Sequence, residues 1–156
     1  MRSRAAHQMS VNKKLGDAGQ EQAANALARL GVHMVEEIGT PFVITKKFSN
    51  GLIRGYWKKK VSGDLIGHTR DGIKVLAEVK TIWDQNLRWS DFKKHQPERL
   101  SLNAERAISL VIWVHHTGIY IMNWIDVLES GFGRGKSMDI RTAQVLDSEP
   151  VLSRRE

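Results

Sequence analysis

The chain has 156 residues and a formal net charge of +7, with a sequence pI near 9.9, a length that suits one domain with its own core. It contains no cysteine, which excludes disulfides and thiolate-ligated zinc and fits a reducing compartment. The longest apolar run, residues 110–114, falls far short of the roughly 20 residues of a bilayer-spanning helix, and the first residues lack the apolar core of a signal peptide, so a cytoplasmic location is expected. The basic balance favours a polyanionic partner, because Lys and Arg side chains that neutralise phosphates release counterions.

Residues 1–14 carry Arg2, Arg4, Lys13 and Lys14 without apolar periodicity and read as a flexible basic arm. Residues 15–146 read as a single domain and 147–156 as a polar tail. Ala23, Ala24, Leu27, Ala28 and Leu30 supply one face of a helix over residues 19–30, with Gly31 as its stop signal. Glu21, in the first turn of that helix, suits the helix dipole and is also a candidate additional acid. Residues 32–35 and 42–45 are short β-like pieces. The run SNGLIRGYWKKK over 49–60 mixes turn residues, aromatics and cations. Tyr56 and Trp57 either pack under a sheet or stack on bases. Lys58, Lys59 and Lys60 cannot all share one strand face, so part of that run is solvated or faces phosphate.

Residues 61–68 and 73–81 read as two strands joined by Thr69, Arg70, Asp71 and Gly72, the Asp-Gly pair being a favoured turn signal. Strand alternation puts Glu78 and Lys80 on one face with Lys74 and Leu76, and Ile73, Val75, Ala77 and Val79 on the other. Two charges thus project from an apolar strand, where they are costly unless paired or bound to metal. A linker over 82–89 leads to Ser90, a candidate N-cap. Pro97 then makes the following helix restart or kink, with His95 and Gln96 at the break and Leu100, Ala104 and Ala107 along one stripe. Residues 108–114 and 119–124 read as a hairpin of buried strands. His115 and His116 would point to opposite sides if extended, which argues against a joint metal site, and they read better as turn histidines. A short helix over 125–130 ends at Gly131, and GFGRGK over 131–136 lacks phosphate-loop spacing and reads as a flexible loop. The element order predicts an α/β domain with a mixed sheet flanked by helices.

Asp64, thirteen residues, then Glu78-x-Lys80 forms the pattern D-(x)n-E-x-K. Hard oxygen ligands such as Asp64 and Glu78 hold Mg²⁺ or Mn²⁺, as phosphodiester hydrolysis requires, and a lysine on the same face can stabilise developing charge or orient the water. Lys46, Lys47, Arg54, Lys58, Lys59 and Lys60 lie just upstream of Asp64 and would give a DNA backbone a cationic approach.

Together with Thr40-Pro41, Ser62-Gly63-Asp64, Glu78-Val79-Lys80 and Asp91-Phe92-Lys93-Lys94-His95-Gln96 ending in Leu100, these residues resemble the PD-(D/E)xK nuclease superfamily, and within it the RecU-type Holliday-junction resolvases, over roughly residues 15–124. The resemblance implies a restriction-endonuclease-like core in which Asp64 and Glu78 bind the divalent ion and Lys80 stabilises the transition state. It also implies that Ser62 and Gln96 complete the metal environment directly or through water, and that a homodimer makes two symmetric cuts in a four-way junction. The chain departs from the family in carrying Ser62 where threonine is usual, which keeps the hydroxyl. It also departs in its short 42–61 region, where RecU-type proteins carry a projection that enters the junction. The rival expectations are a nuclease of the same superfamily without junction selectivity, an inactive DNA-binding module of this fold, and an RNA-associated basic protein.

Overall fold

The computed structural model describes residues 4–37, 42–57, 65–148 and 150–153, with the backbone alone at 4–14, 42–43 and 56–57. Its elements, in chain order, are α1 (Arg4–Arg29), β1 (His33–Glu37), β2 (Phe42–Lys47), β3 (Ile53–Trp57), β4 (Leu65–His68), β5 (Lys74–Thr81), β6 (Asn86–Leu87), a 3₁₀ turn (Trp89–Asp91), α2 (His95–Ala104), β7 (Ile108–His115), β8 (Gly118–Asn123), α3 (Trp124–Glu129), β9 (Met138–Asp139) and α4 (Ile140–Asp147). Five strands form one mixed sheet in the order β1-β4-β5-β7-β8, parallel only between β5 and β7. The chain is therefore mixed α/β, with helices on both faces of the sheet.

The two faces follow from alternation. Val75, Ala77 and Val79 of β5 join Leu110 and Ile112 of β7 beneath Ala23 and Leu27 of α1. Leu76 of β5 joins Val111 and Trp113 of β7 on the other side, with Leu100 of α2 and Trp124 and Val127 of α3. Every residue of β7 is buried, as expected of a strand covered on both faces. α1 lies close enough to β5 that a Cβ at Gly19 would overlap the Thr81 hydroxyl, so a glycine inside a helix, unfavourable by propensity, is what admits the strand here. The α2–β7 connection is closed by Ser109, whose hydroxyl donates to Leu100 O at 2.7 Å, and by the Asn103 amide, which donates to Ile108 O at 3.0 Å.

The turn between β4 and β5 forms as its residues predict. Gly72 N donates to Thr69 O at 2.9 Å, Thr69 N to Ile73 O at 2.8 Å, and Gly72 takes φ +80, a conformation that favours glycine. β2 and β3 make a separate antiparallel two-stranded sheet. Among the described residues, no helix is long and apolar enough to cross a membrane.

Three expectations change. The residues read as a basic arm are helical from Arg4 onward. No glycine or proline precedes Gly16, and a helix already nucleated against the sheet at Ala23 and Leu27 propagates at one hydrogen bond per residue. The supposed polar tail is docked as far as Ser153. Val151 is buried, and the Asn123 amide donates to the carbonyls of Val151 and Ser153, each at 3.0 Å. The glycine-rich loop is likewise anchored, because Phe132 is buried among Trp89, Phe92 and Trp124. One helix was missed: α4, capped by Asp139, whose carboxylate accepts from Arg141 N at 2.8 Å and Thr142 N at 2.9 Å. The Thr142 amide above all, and Arg141 with it, hold that carboxyl below its ordinary 3.8 despite partial desolvation.

Candidate active site

β5 is a core strand, yet its face toward α2 carries Glu78 and Lys80 beyond Leu76, as alternation predicts. Glu78 is 1% exposed. Lys80 Nζ lies 3.1 Å from Glu78 Oε1 and donates to Gln96 Oε1 at 2.9 Å. The same ammonium stands 4.7 Å from the centroid of the Phe92 ring, whose face attracts a cation. Desolvating two charges costs about as much as their attraction returns, so stability alone does not call for this pair. An apolar pair would fill the space equally well.

The third member comes from across the β5–α2 connection. The 3₁₀ turn over Trp89–Asp91 begins beyond Arg88, whose amide donates to Asp91 Oδ2 at 2.7 Å. Ser90 therefore lies inside the turn and is not its cap. The chain restarts as α2 at His95, with Pro97 in its first turn, where a missing N–H costs nothing. Gln96 is buried in that first turn. Its Oε1 accepts from Lys93 N at 2.7 Å as well as from Lys80, and its Nε2 donates to Glu78 Oε1. The amide orientation is fixed by this network, since a flip would set oxygen against carboxylate and NH₂ against ammonium. Gln96 thus both caps the chain at Lys93 and ties Glu78 to Lys80.

The structure brings Glu78, Lys80 and Gln96 together. Asp64, Ser62, Lys58, Lys59, Lys60 and the Thr40-Pro41 pair lie outside the described residues. Glu21 is exposed on α1, whose buried stripe packs on the opposite face of the sheet from Glu78, so the described contacts do not join it to the cluster. Lys46, Lys47 and Arg54 are exposed on the β2–β3 hairpin. There Lys46 pairs with Arg54 in the strand register, and Lys46 Nζ lies 5.0 Å from the Phe48 ring centroid.

His116 lies in the turn, as expected, whereas His115 still belongs to the strand. His115 ends β7 and His116 begins the turn, so strand alternation stops between them and their ring centroids lie 4.0 Å apart. His115 is buried, with Nδ1 2.7 Å from the Thr117 hydroxyl. Burial first, and then the neighbouring His116, push its pKa below 6.5, against an opposing pull from the backbone of Trp83 and Asp84.

Sequence reasoning gave Phe92 no part in the cluster beyond its place in a motif. An aromatic four residues before a buried polar side chain, at a helix restart, was the available signal. For a metal, Glu78 offers hard carboxylate oxygens of the kind that suit Mg²⁺ or Mn²⁺. Gln96 fits a positioning role better than a ligand role, because its carbonyl already accepts from two donors. Among the described residues, no group of three His, Cys, Asp or Glu side chains could hold a metal ion, so a complete site needs a donor such as Asp64. No protein-family model matches this chain, and no curated protein matches it in sequence.

Proposed function

We propose that this chain is a Mg²⁺-dependent endonuclease with a restriction-endonuclease-like core, acting as a cytoplasmic homodimer on branched DNA such as a Holliday junction. The observation that carries the reading is the buried Glu78–Lys80–Gln96 cluster on a core strand, where charge is retained at a cost that packing would not demand. Asp64 is the second carboxylate in this reading. It is bonded to Leu65, the Cα partner of Ala77, and Ala77 is bonded to Glu78, so the reading asks the same ladder to continue by one step.

Glu78, with Asp64, would hold the ion, and Ser62 would add a hydroxyl donor. Bound Mg²⁺ supplies charge stabilisation to the attacking and leaving oxygens of the phosphodiester. Lys80 presents its ammonium beside the carboxylate, with the Phe92 ring limiting its solvation and Gln96 limiting its rotamers. A cation held in this way loses little by reorganising when charge develops. Lys46, Lys47 and Arg54 serve as the exposed phosphate contacts. A two-fold dimer would supply the paired sites that symmetric junction cutting needs.

The test is cleavage of a synthetic four-way junction against a linear duplex of the same sequence, in Mg²⁺, Mn²⁺ or EDTA. Metal-dependent cutting that favours the junction is expected. Equal rates on both substrates would remove junction selectivity. Junction binding that persists in EDTA, with no cutting in either metal, would replace the enzyme by a binding module. Neutralising Lys46, Lys47 and Arg54 together as Gln should flatten the logarithmic salt dependence of DNA affinity by about 0.9 for each cation that meets a phosphate. An unchanged slope would detach the hairpin from the DNA.

A further inference from the structure

Trp83 stands apart from the other tryptophans whose side chains are described. Trp113 and Trp124 are fully buried, and Trp89, although 41% exposed, packs on Phe92, Trp124 and Phe132. Trp83 is 59% exposed and belongs to neither core cluster. A large aromatic left in water is unremarkable when its backbone is loose or its position arbitrary. Neither condition holds here.

The chain is tied on both sides of Trp83, through the backbone of Ile82 and through the carboxylate of Asp84. Ile82 N donates to Val114 O at 3.2 Å, and the Trp113 indole N–H donates to Ile82 O at 2.8 Å. On the far side, Asp84 accepts from Asn86 N at 3.2 Å and from the Arg88 guanidinium at 2.9 Å. The indole itself leans on His116 in an edge contact, with centroids 6.2 Å apart and planes at 70°. His116 rests in turn on His115, and His115 is braced through Thr117 to the Tyr120 hydroxyl, 2.7 Å and then 2.9 Å. An edge contact leaves an indole face open, and the ring leans on an exposed histidine that is itself backed by the buried His115 and Tyr120. This is a preorganised aromatic surface.

Its place in the chain keeps it near the cluster. Trp83 follows Lys80 by three residues on the connection that leads from Lys80 to Gln96, so the chain cannot set the two Cα atoms more than about 11 Å apart. We infer that Trp83 is the stacking platform for an unpaired nucleobase adjoining the phosphate presented to Glu78 and Lys80. The inference rests on the nuclease reading and deepens it, by naming what the site recognises: DNA with an unstacked base at the branch or cut position. Every base has a π-face, so a stacking platform selects for unpaired structure and not for sequence.

The experiment uses the full chain and junctions carrying 2-aminopurine, placed in turn at each nucleotide flanking the mapped cut, with binding measured in Ca²⁺ and cleavage in Mg²⁺. Wild type and Trp83→Phe should quench one of these probes. Trp83→Ala should not, and should bind the junction about tenfold more weakly while binding linear duplex as wild type does. His116→Ala, which keeps the indole but removes its support, should fall between. Thermal melting of each variant should stay near wild type, because the ring is largely exposed. If Trp83→Ala matches wild type in quenching and junction affinity while wild type still cuts, the platform is refuted and the nuclease stands. Equal loss on junction and duplex would also refute it, since Trp83 would then be a general contact. If wild type neither binds nor cuts any DNA, the nuclease reading falls and this inference with it.

Discussion

Glu78→Gln is expected to abolish metal-dependent cleavage, by on the order of a thousandfold or more, while leaving the protein folded and its DNA affinity equal or higher. The amide is nearly isosteric with the carboxylate, so packing against the core of β5 is kept. Its oxygen can still accept from Gln96, and Lys80 retains the Gln96 carbonyl and the Phe92 ring. What is lost is the negative charge that would hold a hard cation. Affinity survives because a carboxylate near the phosphate opposes binding. Single-turnover cleavage, read beside junction binding in Ca²⁺, separates the two effects. Cutting at the wild-type rate would take Glu78 out of the chemistry. Joint loss of cutting, binding and the melting transition would mark a folding defect.

Lys80→Met should do damage of a second kind, lowering stability by about 2–3 kcal/mol as well as suppressing cleavage, because it removes the counter-charge of a carboxylate whose side chain is only 2% exposed. Lys80 is itself 12% exposed, so some water can enter in its place, and the figure sits below the full cost of breaking a sealed pair. The double variant Glu78→Gln with Lys80→Met should recover much of the loss, since no charge then remains to be compensated. Chemical denaturation of the two single variants and the double closes the cycle. Mg²⁺ should raise the midpoint of Lys80→Met more than that of wild type if the ion takes over the role of counter-charge. Strict additivity of the two substitutions would mean that the pair is not energetically coupled.

Much of the candidate site could be read from local rules. The two-residue period of a strand was enough to place Glu78 and Lys80 together on the face opposite Val75, Ala77 and Val79. The Asp-Gly turn and the place of Pro97 in the first turn of α2 were likewise set by residues whose backbone preferences act within a few positions, although the helix begins at His95 and so takes in His95 and Gln96. Where local rules ended, the readings drifted. His115 and His116 were rightly placed at a turn, but no local rule set their rings 4.0 Å apart. Residues 4–14 looked structureless because they lack apolar periodicity, although a helix continued from a packed segment needs none. Phe132 is a lone apolar residue between glycines, and Val151 with Leu152 makes a pair too short for periodicity to foretell its burial.

By itself, then, the amino-acid order determined which side chains share a strand face, where the chain turns, and that a buried charge pair would need an explanation, since all three follow from covalent geometry and the energetics of single residues. Only the tertiary structure decided that Gln96, 18 positions from Glu78, closes on it. That contact depends on α2 crossing from β5 to the parallel β7 and lying on the Leu76–Glu78–Lys80 face. It likewise decided that Trp83 stands on a braced histidine pair and that β2 and β3 pair apart from the main sheet. Such contacts join residues far apart in the chain, and their free energy is settled by the packing of whole elements, which no local pattern encodes.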